Sequence, residues 1–357
     1  MSNQNSPIFT GNIYIFHAFD IGKNIQFKNL HKDKDIQTNK VHVSKLLKHC
    51  HLPLEIELPH PHNSARCISS KIHEFGAISL TYKVPITGSL HELQEIITTI
   101  DEKYQQDSVQ DAHSIYKKIL PYIIKPAFFQ MKTYYTVIQI DTNNDASGIK
   151  IKQQYGNQIA ALLKFETKNL STFRKNEILK NSISYFEKDL VIIDTNAAFL
   201  YDPEYNELLD IFEFANIQQL ELYYFDKLLD KQLTILYEEK KPKLPLLSYM
   251  PFIGSRYFDP MSELNRIKVD ISVITERLES GITLIGETYF SEIYEQIVKQ
   301  LNLINTQKTI NKKLFIIQDI KSVYQSKIDA NRVDLLTAIL IFNSLIWQTL
   351  LKFWTSL

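Results

Sequence analysis

The period of the apolar positions changes near Pro203. Before it, short runs alternate or are continuously apolar; after it, apolar residues recur every three or four positions. Asn12–Gly22 (NIYIFHAFDIG) is rich in β-branched and aromatic residues and closes on Gly22, which predicts a strand. Leu54–Leu58 alternates as LEIEL. Ala77–Val84 (AISLTYKV) enters through Gly76 and stops at Pro85, Tyr134–Asp141 reads YYTVIQID, and Asp189–Asp194 (DLVIID) has the continuous apolar character of a buried strand. Between these lie helical patterns. In Leu90–Tyr104, Leu90, Leu93, Ile97 and Ile100 share a face, with Ser89 as N-cap and Glu92 three residues on to complete a capping box. Gln153–Phe165 and Thr172–Lys180 read as two more. Strands and helices interleave without a regular βαβ beat, so the spacing predicts an α+β domain over residues 1–203 rather than a doubly wound sheet.

From Tyr205 onward the pattern is helical, and residues 204–331 read as long amphipathic helices. Phe225, Leu229, Leu233 and Leu236 form one stripe. Prolines 242, 245, 251 and 260 break the pattern into a linker over 240–260. Leu264, Ile267, Ile271, Ile274, Leu278 and Ile285 then follow heptad spacing and predict a coiled seam. Phe290, Ile293, Ile297, Leu301 and Ile304 continue it after a slip of phase near Gly281 and Gly286. A last amphipathic segment, Lys313–Ile328, runs into residues 332–354, where Leu335–Leu351 carries no charge. A bilayer requires about 20 mostly apolar residues, so this tail predicts a single C-terminal span. Leu335, Trp347 and Trp354 suit lipid and its interface. Thr337, Ser344 and Gln348 fall on one helical face, and with Asn343 they suit contact with copies of the same helix. Lys321, Lys327 and Arg332 precede the span, which predicts a cytoplasmic N-terminal domain at a bacterial inner membrane.

Composition narrows the chemistry. Forty basic and forty acidic residues among 357 leave no net charge, and no basic patch with interleaved aromatics points to nucleic acid. Nine glycines form neither a dinucleotide-binding fingerprint nor a P-loop. Two cysteines fit a reducing compartment, and the N-terminus has neither a basic start nor an apolar core of a signal peptide. All ten histidines lie in the first 113 residues. His60, His62 and Cys67 are the first candidates for a metal, although their spacing is not a zinc pattern. Asp194 and Asp202 follow a buried strand and could act as acids or cap the next turn; Asp20 has the same ambiguity. No complete catalytic motif is visible, and no cofactor is expected.

The order of parts carries a resemblance. FGAISLTYK, DLVIIDTNAAFLYD, the helix ending LDKQLTILYE, the long amphipathic helix and the apolar segment after NRVDLL together resemble the "required for meiotic nuclear division" family. That resemblance implies a membrane-anchored oligomer and supplies no catalytic signature. The expectation is a non-enzymatic scaffold or tether: membrane lipid and further copies of the chain as partners, and a protein partner yet to be named. A cation-conducting membrane assembly and a metal-dependent hydrolase or nuclease are the alternatives.

Overall fold

The computed structural model describes residues 7–40, 53–57, 66–128, 131–142, 146–166, 170–238, 264–273, 276 and 288–355. They form two compact units that alternate along the chain. One comprises Met1–Tyr224 with Glu276–Thr306, and the other Phe225–Thr275 with Gln307–Leu357.

Among the described residues the first unit is built on a nine-stranded sheet. Its strands are β1 (Phe9–Asp20), β3 (Thr38–Lys40), β4 (Leu54–Ile56), β5 (Cys67–His73), β6 (Ala77–Gly88), β8 (Lys132–Ile140), β9 (Ser182–Ile183), β10 (Leu190–Ile193) and β11 (Ala197–Tyr201). The order is β3-β4-β5-β6-β1-β8-β11-β10-β9. Every pairing is antiparallel except β8 with β11. That one parallel pair encloses a crossover through α3 (Gly148–Leu163) and α4 (Thr172–Leu179). β2 (Asn24–Ile25), α1 (Phe27–Leu30) and β7 (Ile123–Ile124) form a small annex, with β2 pairing β7. The fold is α+β, as the pattern predicted.

Alternation along the central strands gives the sheet two buried faces. Ile13, Ile15 and Phe19 of β1, with Ile138 and Ile140 of β8, join Leu93, Ile97 and Ile115 of α2 (Leu90–Ile119) and Ile159 and Leu162 of α3 in one apolar cluster. Each such side chain, fully removed from water, contributes about 1.5–3 kcal/mol. The other face is covered by the first turns of α5 (Tyr205–Glu238): Phe212 stacks on Tyr135 at 5.5 Å, and Asn216 donates to the Phe16 carbonyl. α7 (Thr288–Gln300) joins that side through Tyr294, whose hydroxyl donates to Gln218 at 2.6 Å. The compact sheet unit therefore runs on to Tyr224 rather than changing at Pro203.

Several boundaries differ for physical reasons. Ser89 and Glu92 do form a capping box, with Glu92 N donating to Ser89 Oγ and Ser89 N to Glu92 Oε2. The helix they open runs 15 residues past Tyr104, to Ile119. β6 passes through Pro85, which faces Asn12 of β1. Lys83 N donates away from β1, to the Arg66 carbonyl. Two residues on, the missing N–H of Pro85 points to the same side, beyond the last β5 partner at Cys67, so no ladder bond is lost.

Gly76 and Gly22 meet where the β5–β6 turn passes the end of β1. Gly76 sits at φ +103°, and a Cβ there would lie 2.1 Å from the Gly22 carbonyl oxygen. Gly76→Ala is expected to cost roughly 1–3 kcal/mol from backbone strain alone, with the clash added. A fall in Tm of several degrees by calorimetry would register it.

The described residues of the second unit are helical. Within it Phe225 and Leu229 of α5, Leu264, Ile267 and Ile271 of α6 (264–273), and Ile310, Leu314, Ile317 and Ile328 of α8 (Leu303–Thr355) are buried. Lys313 of α8 pairs with Asp226 and Asp230 of α5, each at 2.7 Å. The expected segment Lys313–Ile328 and the apolar tail are one helix, which starts earlier, after Asn302 turns the chain at φ +56°. Of the expected seam, Leu264, Ile267 and Ile271 are buried. Ile274, Leu278 and Ile285 lie outside the described residues, as does the proline-rich linker.

Candidate functional site

Two features stand out, an exposed apolar helix end and a polar cluster inside the sheet unit. α8 has 53 residues. At 1.5 Å per residue, its stretch 335–354 is about 30 Å long, the thickness of a hydrocarbon core. Nothing in the most apolar part of this stretch is buried. Leu340, Trp347 and Trp354 are 67, 67 and 85% exposed. Leu335, Thr337, Asn343, Ser344 and Gln348 are exposed too. A core helix would hide one face; this stretch shows every face to its surroundings. Thr337 and Thr349 donate their hydroxyls to the helix's own carbonyls, at Val333 (2.9 Å) and Ile346 (2.8 Å), so neither burdens an apolar environment with an unmet donor. At 100° per residue Thr337, Ser344 and Gln348 share a face, whereas Asn343 points elsewhere.

The polar cluster lies under the middle of α2. The sheet-facing positions of that helix are apolar at both ends but read Asp101, Tyr104, Ser108 and Asp111 between them, all buried. Opposite stand Tyr82, Thr136, Tyr134 and His17. Tyr82 donates to Asp111 Oδ2 at 2.5 Å, Thr136 to Asp101 Oδ1 at 3.5 Å and Gln105 to Asp101 Oδ2 at 2.8 Å. His17 is wholly buried, with ring centroids 5.9 Å from Tyr82, 6.1 Å from Tyr134 and 6.2 Å from Phe19. Neither of its ring nitrogens has a hydrogen-bond partner among the described residues. Burial drives its pKa down to about 3, and the charge of Lys132 pushes the same way. Burial also raises the Asp101 carboxyl against hydrogen bonds from Gln105 and Thr136. At neutral pH the cluster thus holds an uncharged imidazole packed among aromatic rings, and the two carboxyl groups of Asp101 and Asp111. Its sequence signal was the continuation of the α2 stripe through polar residues, which a search for apolar repeats passes over.

Among the described residues, those singled out in the sequence are not gathered into a site. His60 and His62 lie outside the described residues. Cys67 faces the core of β5, and burial, with the Asp111 carboxylate adding to it, pushes its thiol up to about 12. A thiol so reluctant to ionise is a poor metal ligand, and among the described residues no three His, Cys, Asp or Glu side chains are placed to hold a metal. Asp194 pairs with Lys164 at 2.5 Å in the β10–β11 turn. Asp202 accepts from Tyr289 and from the Glu204 amide at the start of α5, and Asp20 accepts from Gly22 N at 3.2 Å. All three serve turns and helix starts.

These parts define a class: a mixed-sheet α+β domain followed by helices, ending in a long apolar helix. Within that class, residues 10–207 match the family described as "Uncharacterized protein MJ0711, N-terminal domain", and the chain belongs to that family. Over 147 residues it is 28% identical to the Uncharacterized protein MJ0711 of Methanocaldococcus jannaschii, which is 41% of this chain and 43% of that protein. The chain thus aligns with less than half the length of this relative. No solved structure matches. The match overturns the resemblance to the meiotic nuclear division family. That resemblance rested on the order of elements and on phrases such as DLVIIDTNAAFLYD, which is a buried β10–β11 hairpin; such a pattern follows from burial in a sheet and does not mark one family. The matched stretch takes in the polar cluster and nearly the whole sheet, and none of α8.

Proposed function

We propose that this protein is a non-enzymatic scaffold held at a membrane by the end of α8, with its sheet unit on the cytoplasmic side and its spans associated with those of other copies. One observation carries the reading: a helix end of bilayer length, apolar and exposed on every side. In water such a surface would be a strong aggregation liability, whereas in hydrocarbon its backbone is satisfied and its side chains are favoured. Arg332 and Lys352 bracket it, and Lys352 can snorkel. Ser344 and Gln348, beside Thr337, give the span a polar face that a neighbouring copy can satisfy. The scaffold reading is further supported by the engagement of Asp194, Asp202 and Asp20 in local structure.

The test is fractionation of cells producing the full chain or a chain ending at Asn331. The full chain is expected in the membrane pellet after alkaline or high-salt washing, and the shortened chain in the supernatant. A full chain that stays soluble and monodisperse without detergent would overturn the proposal.

A further inference from the structure

The loop between β9 and β10 displays two aromatic rings from a braced backbone. The Asp189 carboxylate accepts from the amides of Tyr185 (2.8 Å) and Phe186 (2.9 Å), and the Ser184 hydroxyl donates to the Phe186 carbonyl at 3.2 Å. The Tyr185 and Phe186 rings meet edge to face at 5.0 Å. Both lean on Tyr289, at 5.6 and 6.1 Å. Tyr289 is itself held by its hydroxyl bond to Asp202 at 2.5 Å. Yet Tyr185 is 52% exposed and Phe186 64%. Ser184, Glu187 and Lys188 beside them are exposed as well, and so is Lys180, just before β9.

Single exposed apolar residues are ordinary, but two adjacent rings fixed outward are not. Because the loop is already ordered, a surface that accepts the rings gains their burial with little further loss of entropy. The two rings, with Lys188 and Lys180 near them and Glu187 the one acidic neighbour in the loop's exposed set, suit a lipid surface. Tyrosine and phenylalanine prefer the boundary between acyl chains and headgroups, and lysine the phosphates above it. We propose that this loop is a second, shallow membrane contact: Tyr185 and Phe186 dip into the interfacial layer with Lys188 at the level of the phosphates. The proposal rests on the anchoring role given to α8, which would keep lipid at high effective concentration around the domain, so that a contact too weak to act alone becomes occupied.

The chain's two tryptophans, Trp347 and Trp354, are both in α8, which makes the test clean. In the full chain both are changed to phenylalanine and Phe186→Trp is added. The protein is reconstituted into phosphatidylcholine–phosphatidylserine vesicles, with or without bromine on the acyl chains near the headgroup. The expected result is co-sedimentation with the vesicles, a blue-shifted emission as the ring enters the interfacial layer, and a clear loss of that emission on bromination. Emission typical of water and untouched by bromine, from protein that still co-sediments, would overturn the loop contact and leave the anchor standing. A blue shift without quenching would assign the rings to another protein surface and also overturn it. Failure to co-sediment would remove the anchor and the loop contact together.

Discussion

Replacing His17 with phenylalanine is expected to make the sheet unit markedly more resistant to acid. His17 is neutral in the fold, where burial, and after it Lys132, holds its pKa near 3; unfolded, it has the ordinary value near 6.5. A group whose folded pKa is depressed binds its proton more readily in the unfolded chain. Its contribution is therefore intact above about pH 6.5 and is lost as pH falls toward 3, at about 1.4 kcal/mol per pH unit. Between pH 7 and pH 4 this amounts to roughly 3 kcal/mol, a large share of the stability of a typical domain. Asp101 opposes the trend. Its burial-raised pKa favours folding in acid, while the lowered pKa values of Asp33 and Glu92 work the other way, so the histidine's effect is read as the difference between the two proteins. Phenylalanine keeps a ring against Phe19, Tyr82 and Tyr134 and removes two nitrogens that have no partners. Thermal unfolding of the two proteins at pH 7 and pH 4 measures the difference. Similar melting points at pH 7 and a clear advantage for the variant at pH 4 are expected. Equal pH slopes would show that the imidazole is protonated, or solvated, in the fold.

The same histidine marks the limit of what the sequence discloses. The sheet was legible where its strands are long and rich in β-branched or aromatic residues: NIYIFHAFD, ISLTYK and YYTVIQI correspond to β1, β6 and β8, the three central neighbours. The α2 N-terminus was legible because Ser89 and Glu92 form a local reciprocal bond that needs no tertiary partner. The far half of α2 was not, since its inward positions Asp101, Ser108 and Asp111 look like solvent-facing residues until a sheet bearing Tyr82 and Thr136 is set against them. β5, as CISSKIH, was missed for a related reason. Lys71 and Ser69 occupy the face an apolar pattern would require to be greasy, and Lys71 finds its match on α5, 142 residues away. The apolar tail was the easiest element to read, because its signal is length without charge, and its exposure along α8 accords with that reading. The metal candidates illustrate the reverse. Of His60, His62 and Cys67, neighbours in sequence, the two histidines lie outside the described residues, while Cys67 points into the core, and proximity along a chain says nothing about which side of a strand a side chain takes.

The largest single effect on the sheet unit is expected from Glu213→Ala. Glu213 receives the Lys71 ammonium at 2.6 Å on one oxygen and the Ser79 hydroxyl at 3.1 Å on the other. His73 Nε2 lies 3.0 Å from that hydroxyl oxygen; with the serine proton committed to Glu213, the imidazole must be the donor. The pair is only 14 and 10% exposed. For Lys71, burial works against the charge, and the Glu213 carboxylate, helped by those of Asp210 and Glu55, outweighs it, so its pKa lies above the ordinary value. Removing the carboxylate takes from the cation its hydrogen-bonded partner, leaving only the Asp210 and Glu55 carboxylates to act on it, and leaves the serine hydroxyl without its acceptor; breaking a buried pair costs up to about 3–5 kcal/mol. Since the pair joins β5 to the first half of α5, the damage should be local to those elements before it is global. Amide exchange, read by mass spectrometry, should accelerate there by roughly 10²–10³-fold, with β11 less affected. Glu213→Gln keeps an oxygen for Ser79 while losing the charge, and should fall between. The decisive comparison is the double change Lys71→Met with Glu213→Leu. If the penalty of the single variant comes from a stranded cation, the double variant recovers most of the protection, since apolar replacement of a whole buried pair is often neutral or better. If the double variant exchanges as fast as the single one, the bonds from Ser79 and the packing of Glu213 against β5 hold α5 in place, and the ion pair contributes little.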